Sequence, residues 1–551
     1  MVASQGRRFQ LSSTRLVLLC SLALVVLYNL ATWEALANLV TLEGAKRAGF
    51  YLSFGLFLWA AFTVFLTLVS FRPLLKPVIT VVALCSAAAA YFMNNYGIAI
   101  DTVMIQNVVE TNPGEAKALL SPKLFGYLLV LGVLPSALVW WLPVQYRRFF
   151  PGLVNKVLVI VAALLVVAAS VGAFYSTYAP IFRQEDKLTH FINPTNYIYA
   201  VTKLAKSRYS VKQNVVVQPI GTDAVLSAQA KAQPKKNLMI FVVGETARAD
   251  HFSLNGYPRE TNPELRKLDI LNFSRVSSCG TSTAVSVPCM FSMFPRSDYS
   301  DKKGKTYEGL LDILQRAGVQ TVWLDNNSDC KGTCLRIPHQ DIPKDQKSPF
   351  CDGTNCLDES LLVGLQDYID GLKDNAIIVL HADGSHGPEY YDRYPKDKEQ
   401  FQPVCHTNQL GSCSHDELVN VYDNTILYTD FFLSKVVELL KKNQDKYDTS
   451  MIYVSDHGES LGENGMYLHA APYAIAPDAQ THVPMVMWFG QDTLAQEGID
   501  RACLKAKQDE GDLSHDNIFH SVLGLFQVQT GVYQSGLDMF HDCRRALTAS
   551  Q

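Results

Sequence analysis

The stretch M-I-Y-V-S-D-H-G-E-S, residues 451–460, is a short apolar run rich in β-formers that stops abruptly at an acid, an imidazole and a glycine. The same grammar recurs in N-L-M-I-F-V-V-G-E-T (237–246), T-V-W-L-D-N-N-S-D (321–329) and A-I-I-V-L-H-A-D-G-S-H-G (376–387). A run that is apolar at successive positions buries both faces of its strand, which suits a parallel sheet covered by helices. Helices are expected between the runs, at 306–317 and 423–442 among others, and V-P-M-V-M-W-F (483–489) adds a further strand. This part of the chain therefore reads as α/β. Open parallel sheets bind ligands beyond the carboxyl ends of their strands. Here that edge collects Glu245, Thr246, Asp325, Asn326, Ser328, His381, Asp383, His386, Asp456, His457 and Glu459.

The N-terminal part is built differently. Five long apolar runs, at 16–36, 49–71, 76–93, 124–143 and 155–177, approach the roughly 20 residues that a helix needs to cross hydrocarbon. Arg7, Arg8 and Arg15 precede the first run, Arg72 and Lys76 separate the second from the third, and Arg147, Arg148 and Lys156 separate the fourth from the fifth. Basic residues of short loops stay on the cytoplasmic side, so the N-terminus is expected inside and the α/β part outside. Ala35-Leu36-Ala37 offers a competing reading as a signal-peptide cleavage site, with export of the α/β part either way. The expected division is a transmembrane domain of five helices at 1–177, a connector with interfacial helices at 178–236, and an exported α/β domain at 237–551. Within the connector, 196–209 reads as a helix lying on the membrane surface or as an ordinary packed helix, and 213–236 reads as a linker.

Cysteine placement agrees with export. Cys20 and Cys85 lie in apolar runs, whereas Cys279, Cys289, Cys330, Cys334, Cys351, Cys356, Cys405, Cys413, Cys503 and Cys543 all lie in the α/β part. An even number on the oxidising side is what a disulfide framework requires. The pairs 279/289, 330/334, 351/356, 405/413 and 503/543 are expected, although spacing alone does not fix connectivity. A structural zinc site on the C-x3-C and C-x4-C pairs at 330–334 and 351–356 is the alternative.

Carboxylates and imidazole are ligands that zinc accepts, and Glu245 with Asp456-His457 is the best candidate set. Adjacent strand residues point to opposite faces, so Asp456 and His457 reach one metal only where the strand breaks, and Gly458 is expected to permit that turn. The loop S-C-G-T-S-T-A-V-S-V-P-C (278–289) supplies five hydroxyls, Ser278, Thr281, Ser282, Thr283 and Ser286, and no base. A cation close by would make an alkoxide accessible near neutral pH without an adjacent histidine. A helix starting in this loop is expected to tolerate Pro288 only in its first turn. His386, His469 and His482 are further candidates, each weighed against a packed or solvated histidine. Nothing physical in the string chooses among the five hydroxyls.

With G-E-T-A-R-A-D, C-G-T-S-T-A-V-S-V-P-C and S-D-H-G-E-S in order behind five apolar runs, the chain resembles the membrane phosphoethanolamine transferases of Gram-negative bacteria, which include lipid A modifying enzymes and mobile colistin resistance proteins. The resemblance implies an alkaline-phosphatase-like (sulfatase-like) α/β domain behind a five-helix transmembrane bundle. It implies a zinc ion held by Glu245, Thr283, Asp456 and His457, with a second zinc as an alternative, and Thr283 as the nucleophile. It places Ser328, Lys331, His386, His469, Asn107, Thr111 and Glu115 at the substrate, the last three on one helix face by their fourfold spacing. His386 and His469 are the candidates for protonating the leaving group. The implied partners are phosphatidylethanolamine as donor, lipid A as acceptor and the bilayer. A monomer in the bacterial inner membrane is expected, without a nucleic-acid partner. Rival readings are phosphoethanolamine or phosphoglycerol transfer to another surface glycan, a sulfatase and a non-catalytic membrane sensor. A sulfatase would need C/S-x-P-x-R, and S-V-P-C-M-F lacks the arginine.

Overall fold

A computed structural model of the chain describes residues 10–40, 42–111, 113–184, 186–212, 216–345, 348–508 and 512–544. They fall into two compact units, one formed by Met1–Ile105 with Leu120–Lys203 and the other by Gln106–Leu119 with Leu204–Gln551.

The first unit is helical. Gly44–Leu68, Leu75–Tyr96, Pro122–Trp141 and Phe149–Ala173 are each long and apolar enough to cross a membrane. The first apolar run is not one straight helix: Ser13–Leu27 and Leu30–Leu39 meet at 58°, so the count is four spans, or five if the bent pair is one. The break falls at Asn29, whose buried amide donates to the Leu24 carbonyl at 2.9 Å and to the Asn193 carbonyl at 2.6 Å, and accepts from Thr32 and from the Asn193 amide. A side chain that inserts into the helical hydrogen-bond ladder bends the helix there. The segment 196–209 is helical, within Thr195–Lys212, and Tyr197 shares a hydrogen bond with Ser86 at 3.3 Å.

The second unit is built on an eight-stranded sheet. Its strands are β1 (Lys236–Gly244), β2 (Ile270–Ser277), β3 (Gln320–Asp325), β4 (His339–Asp341), β5 (Ala376–His381), β6 (Tyr447–Ser455), β7 (His482–Phe489) and β8 (Leu513–Ser514), in the order β8-β2-β7-β6-β1-β5-β3-β4. The central strands β6, β1, β5 and β3 run parallel, and β7 runs antiparallel to both β6 and β2. Each apolar run is buried along nearly its full length. Met239, Phe241 and Val243 of β1 pack into a core with Leu310, Leu314, Phe519 and Val522. The helix His415–Lys442 packs on β6.

Three expectations shift. The linker reading of 213–236 does not hold for 216–236: Val225–Leu226 pairs with Val528–Gln529, and Ser227 caps the helix Ala228–Ala232. Ile220, Leu226 and Ala230 are buried, and that gain outweighs the freedom that a polar linker keeps. The helix expected at 423–442 starts earlier because S-H-D-E (414–417) is a capping box, with Ser414 and Glu417 each bonding the other's backbone amide. The helix expected at 306–317 shortens to Leu310–Arg316, where Asp312 accepts from the Gly309 amide at 2.8 Å.

Candidate metal and nucleophile site

Four parallel strands end at one edge of the sheet, and Glu245 and Asp456 are the first residues beyond neighbouring β1 and β6. Glu245, Asp456 and His457 are all buried, and they bring one ligand atom each within 4.8 Å of one another. His457 Nε2 lies 3.4 Å from a Glu245 oxygen and 3.4 Å from Asp456 Oδ2. His457 Nδ1 faces the Gly458 carbonyl at 2.9 Å, so that nitrogen carries the proton and Nε2 offers a lone pair. Burial, with His469 next to it, holds the ring neutral, well below the usual histidine range. Burial also pushes the Asp456 carboxyl up, and Asp456 Oδ2 is buried without a hydrogen-bond partner among the described residues. Lone pairs of an imidazole and two acids thus converge at one buried point. A divalent cation fits this donor set, because its charge compensates groups that otherwise repel one another.

Asp456 and His457 do converge where the strand breaks, yet Gly458 is required for a reason other than turn geometry. Its φ lies outside the left-handed region, and a Cβ there would overlap the Ala479 carbonyl oxygen. The Gly458 amide donates to the Gln480 carbonyl at 3.0 Å. Close approach of two backbones excludes every side chain at this position.

The hydroxyl loop meets this cluster through one residue. Ser278 donates to the Gly280 carbonyl, Thr281 donates to the Ala471 carbonyl, and Ser286 accepts from the Gly280 amide. The Ser282 hydroxyl is buried without a hydrogen-bond partner among the described residues. Thr283 Oγ1 donates to Glu245 Oε2 at 3.0 Å and lies 3.4 Å from His457 Nε2. Thr283 is also the first residue of the helix Thr283–Met290, whose N-terminus favours an anionic group. Pro288 is the sixth residue of that helix and not in its first turn. It has no amide to offer the Ala284 carbonyl, and the helix ends within two residues. The loop is braced by the disulfide Cys279–Cys289 and by the Cys279 amide, which donates to His515 Nδ1 at 3.1 Å.

The remaining disulfides join Cys330–Cys334, Cys351–Cys356, Cys405–Cys413 and Cys503–Cys543, so no thiols remain at 330–356 for the alternative zinc site. His469 lies 4.5 Å from His457 and 5.4 Å from His386, between ring centroids, which places three imidazoles in a row. Burial, then the Arg393 cation, His469, His457 and Lys331, hold His386 neutral. Facing His469 Nδ1 at 3.4 Å is the fully buried Glu459 carboxylate. Lys331 donates to the Ser328 hydroxyl at 2.8 Å and to its carbonyl at 2.9 Å. Asp325 and His381 pair with each other at 2.9 Å, with Trp323 donating to the same acid, so these two strand-end groups serve each other. His482 faces the Ser274 carbonyl at 2.6 Å.

Comparison with known proteins decides what this site belongs to. Residues 58–209 match the model for phosphoethanolamine transferase EptA/EptB, and 237–528 match the sulfatase model. The phosphoethanolamine transferase EptA of Salmonella typhimurium is 43% identical over 533 residues, covering 96% of each chain. The phosphatidylethanolamine transferase Mcr-1 of Escherichia coli is 40% identical, covering 94% of this chain and 96% of the relative. The solved structure of an integral membrane lipooligosaccharide phosphoethanolamine transferase A from Neisseria meningitidis superposes with a TM-score of 0.93 at 37% identity, covering 98% of this chain and 100% of that one. The chain belongs to the phosphoethanolamine transferase family.

As a phosphoethanolamine transferase it has the sulfatase-like α/β domain behind a helical region of four or five candidate spans. The expectation that Asn107, Thr111 and Glu115 share one helix face is not met. Asn107 lies in the helix Thr102–Glu110, Thr111 follows its end, and Glu115 belongs to the separate helix Pro113–Ala118. Pro113 brings no amide to continue the first helix. Thr111 stays by Asn107, whose carbonyl accepts from the Thr111 amide at 2.7 Å and from its hydroxyl at 2.6 Å. The Glu115 side chain is outside the described residues. The segment Gln106–Leu119 groups with the α/β unit, through Gln106 and Asp301 at 3.4 Å and through Asn408, which donates to the Ala118 carbonyl at 2.6 Å.

Sequence reading missed Asn327 in this phosphoethanolamine transferase. Its amide donates to Glu245 Oε2 at 2.8 Å and to the Ala382 carbonyl at 2.9 Å, fixing the carboxylate that faces Thr283. The signal was present, since Asn327 sits in the N-N-S-D strand ending from which Asn326 and Ser328 were drawn.

Proposed function

We propose that this chain transfers phosphoethanolamine from phosphatidylethanolamine to a phosphate of lipid A through a phosphoethanolamine ester of Thr283. It would act on the periplasmic face of the inner membrane, with zinc held by Glu245, Thr283, Asp456 and His457. The observation that carries the reading is the Thr283 hydroxyl, at a helix N-terminus, 3.0 Å from Glu245 and 3.4 Å from His457 Nε2. The relatives' names support donor and acceptor, since one is a phosphatidylethanolamine transferase and another acts on lipooligosaccharide.

In the first half-reaction Thr283 Oγ bonds to phosphorus, its proton passes to Glu245, and the bond from phosphorus to the diacylglycerol oxygen breaks. The departing oxygen takes a proton from His469. That ring is better suited than His386, because a carboxylate faces it whereas Arg393 and Lys331 act on His386. In the second half-reaction a lipid A phosphate hydroxyl passes its proton to His469 as its oxygen bonds to phosphorus, the bond to Thr283 Oγ breaks, and the threonine regains its proton from Glu245. When bound, zinc supplies positive charge that favours the Thr283 alkoxide and offsets charge on the transferred group. Ser328 and Lys331 would hold the donor headgroup, with Asn107, Thr111 and Glu115.

Adding an ethanolammonium group reduces the negative charge of lipid A, so polycationic peptides such as polymyxins would bind it less well. Both substrates are lipids, which accounts for an α/β enzyme that carries membrane-spanning helices. Mass spectrometry of lipid A from cells expressing the chain should show added phosphoethanolamine. With Thr283→Ala the addition should vanish while the protein still inserts and folds. Persistence of the group in that variant would remove Thr283 as the nucleophile.

A further inference from the structure

His469 sits between two residues whose backbone ordinary side chains avoid. Its neighbours Leu468 and Ala470 have φ of 64° and 68°, and such a conformation persists only where the surroundings hold it. Bonds from two sides do so. From the Thr283 loop, the Thr281 carbonyl accepts from the Ala470 amide at 2.7 Å, and the Thr281 hydroxyl donates to the Ala471 carbonyl at 2.6 Å.

From the other side comes Gln480, whose side chain is fully buried. Its Oε1 accepts from the Ala471 amide at 3.0 Å, and its Nε2 donates to the Leu468 carbonyl at 3.1 Å and to Ser460 Oγ at 2.8 Å. The Gln480 carbonyl also accepts from the Gly458 amide, next to His457. One residue thus grips the chain immediately before His469 and two residues after it, and backs the strand break that presents His457. The two rings it braces are 4.5 Å apart.

We propose that Gln480 is a positioning residue for phosphoethanolamine transfer, whose amide sets where the His469 ring stands relative to His457. An amide suits the place because it presents an acceptor to one backbone N–H and donors to two oxygens. Methionine matches the volume without those bonds, and glutamate keeps the acceptor without the donors. The inference rests on the reading that His469 acts at the departing oxygen.

The test uses the full chain in detergent and follows release of fluorescently tagged diacylglycerol from tagged phosphatidylethanolamine. Gln480→Met should lower kcat about 10–100-fold, the size expected when a reacting group moves by about an ångström. KM should stay within roughly twofold of wild type, and zinc content per chain should not change. The variant Gln480→Met with His469→Ala should be no slower than His469→Ala alone, since the ring's position ceases to matter once the ring is gone. Gln480→Glu, measured alongside, applies the same criteria if Gln480→Met does not fold. Wild-type kcat in a folded Gln480 variant, losses that multiply in the double variant, or loss of zinc would each overturn the proposal. Full activity of His469→Ala would overturn the role given to His469, and this proposal with it. An impaired His469→Ala beside a fully active Gln480→Met would overturn the positioning role alone.

Discussion

At the scale of single residues, the site is a matter of which polar groups are already engaged. Of the five hydroxyls in 278–286, Ser278, Thr281 and Ser286 bond to backbone and Thr283 reaches Glu245. No pattern in the string encodes that choice, because the partners Glu245 and Ala471 lie far away in sequence. His515 shows the same principle. Its Nδ1 accepts from the Cys279 amide at 3.1 Å, a bond that requires the neutral ring, while its Nε2–H donates to the Ser455 carbonyl at 3.0 Å in either state. Burial pushes its pKa down from 6.5 to about 4. A histidine whose folded-state pKa is depressed contributes its full stability above the unfolded value, and that contribution is lost as pH falls from 6.5 towards 4. The loss is worth up to about 3 kcal/mol. The melting temperature of the full chain in detergent should therefore drop across this window, and His515→Gln, which cannot titrate, should flatten the drop. An unchanged pH slope in that variant would contradict the assignment.

At the scale of elements, the strands and their chemically competent endings were legible, because continuous apolar runs leave a parallel strand as the natural reading and the carboxyl ends as the site. The runs at 237–246, 321–329, 376–387 and 451–460 became β1, β3, β5 and β6. Less legible were features that depend on approach between distant segments. Gly458 looked like a turn glycine, yet what it provides is space beside the Ala479 carbonyl. Gly458→Ala should push His457 off the cluster, destabilising the protein by about 1–3 kcal/mol through overpacking and lowering bound zinc. Wild-type melting and zinc content would show that the backbone can yield. The break of the first apolar run at Asn29 was hidden for a related reason, since one polar residue within hydrocarbon length says nothing of its partner Asn193.

At the scale of the whole molecule, division into a helical part and an α/β part followed from apolar run length alone, whereas the pairs Cys330–Cys334 and Cys405–Cys413, expected from closeness in sequence, are fixed only by the fold. The seam itself did not. Residues 106–119 group with the α/β unit although they lie between apolar runs, and 216–236 are woven into it through Leu226 and Val528. Such contacts rest on pairings across hundreds of residues, which local pattern does not carry.

The proposed transfer passes through a covalent ester at Thr283. Incubating the purified full chain with phosphatidylethanolamine and no acceptor, then mapping its peptides by mass spectrometry, tests it most directly. One phosphoethanolamine group is expected on Thr283, discharged when lipid A is added. An unmodified Thr283, with the group on another residue or on none while transfer to lipid A still proceeds, would contradict it.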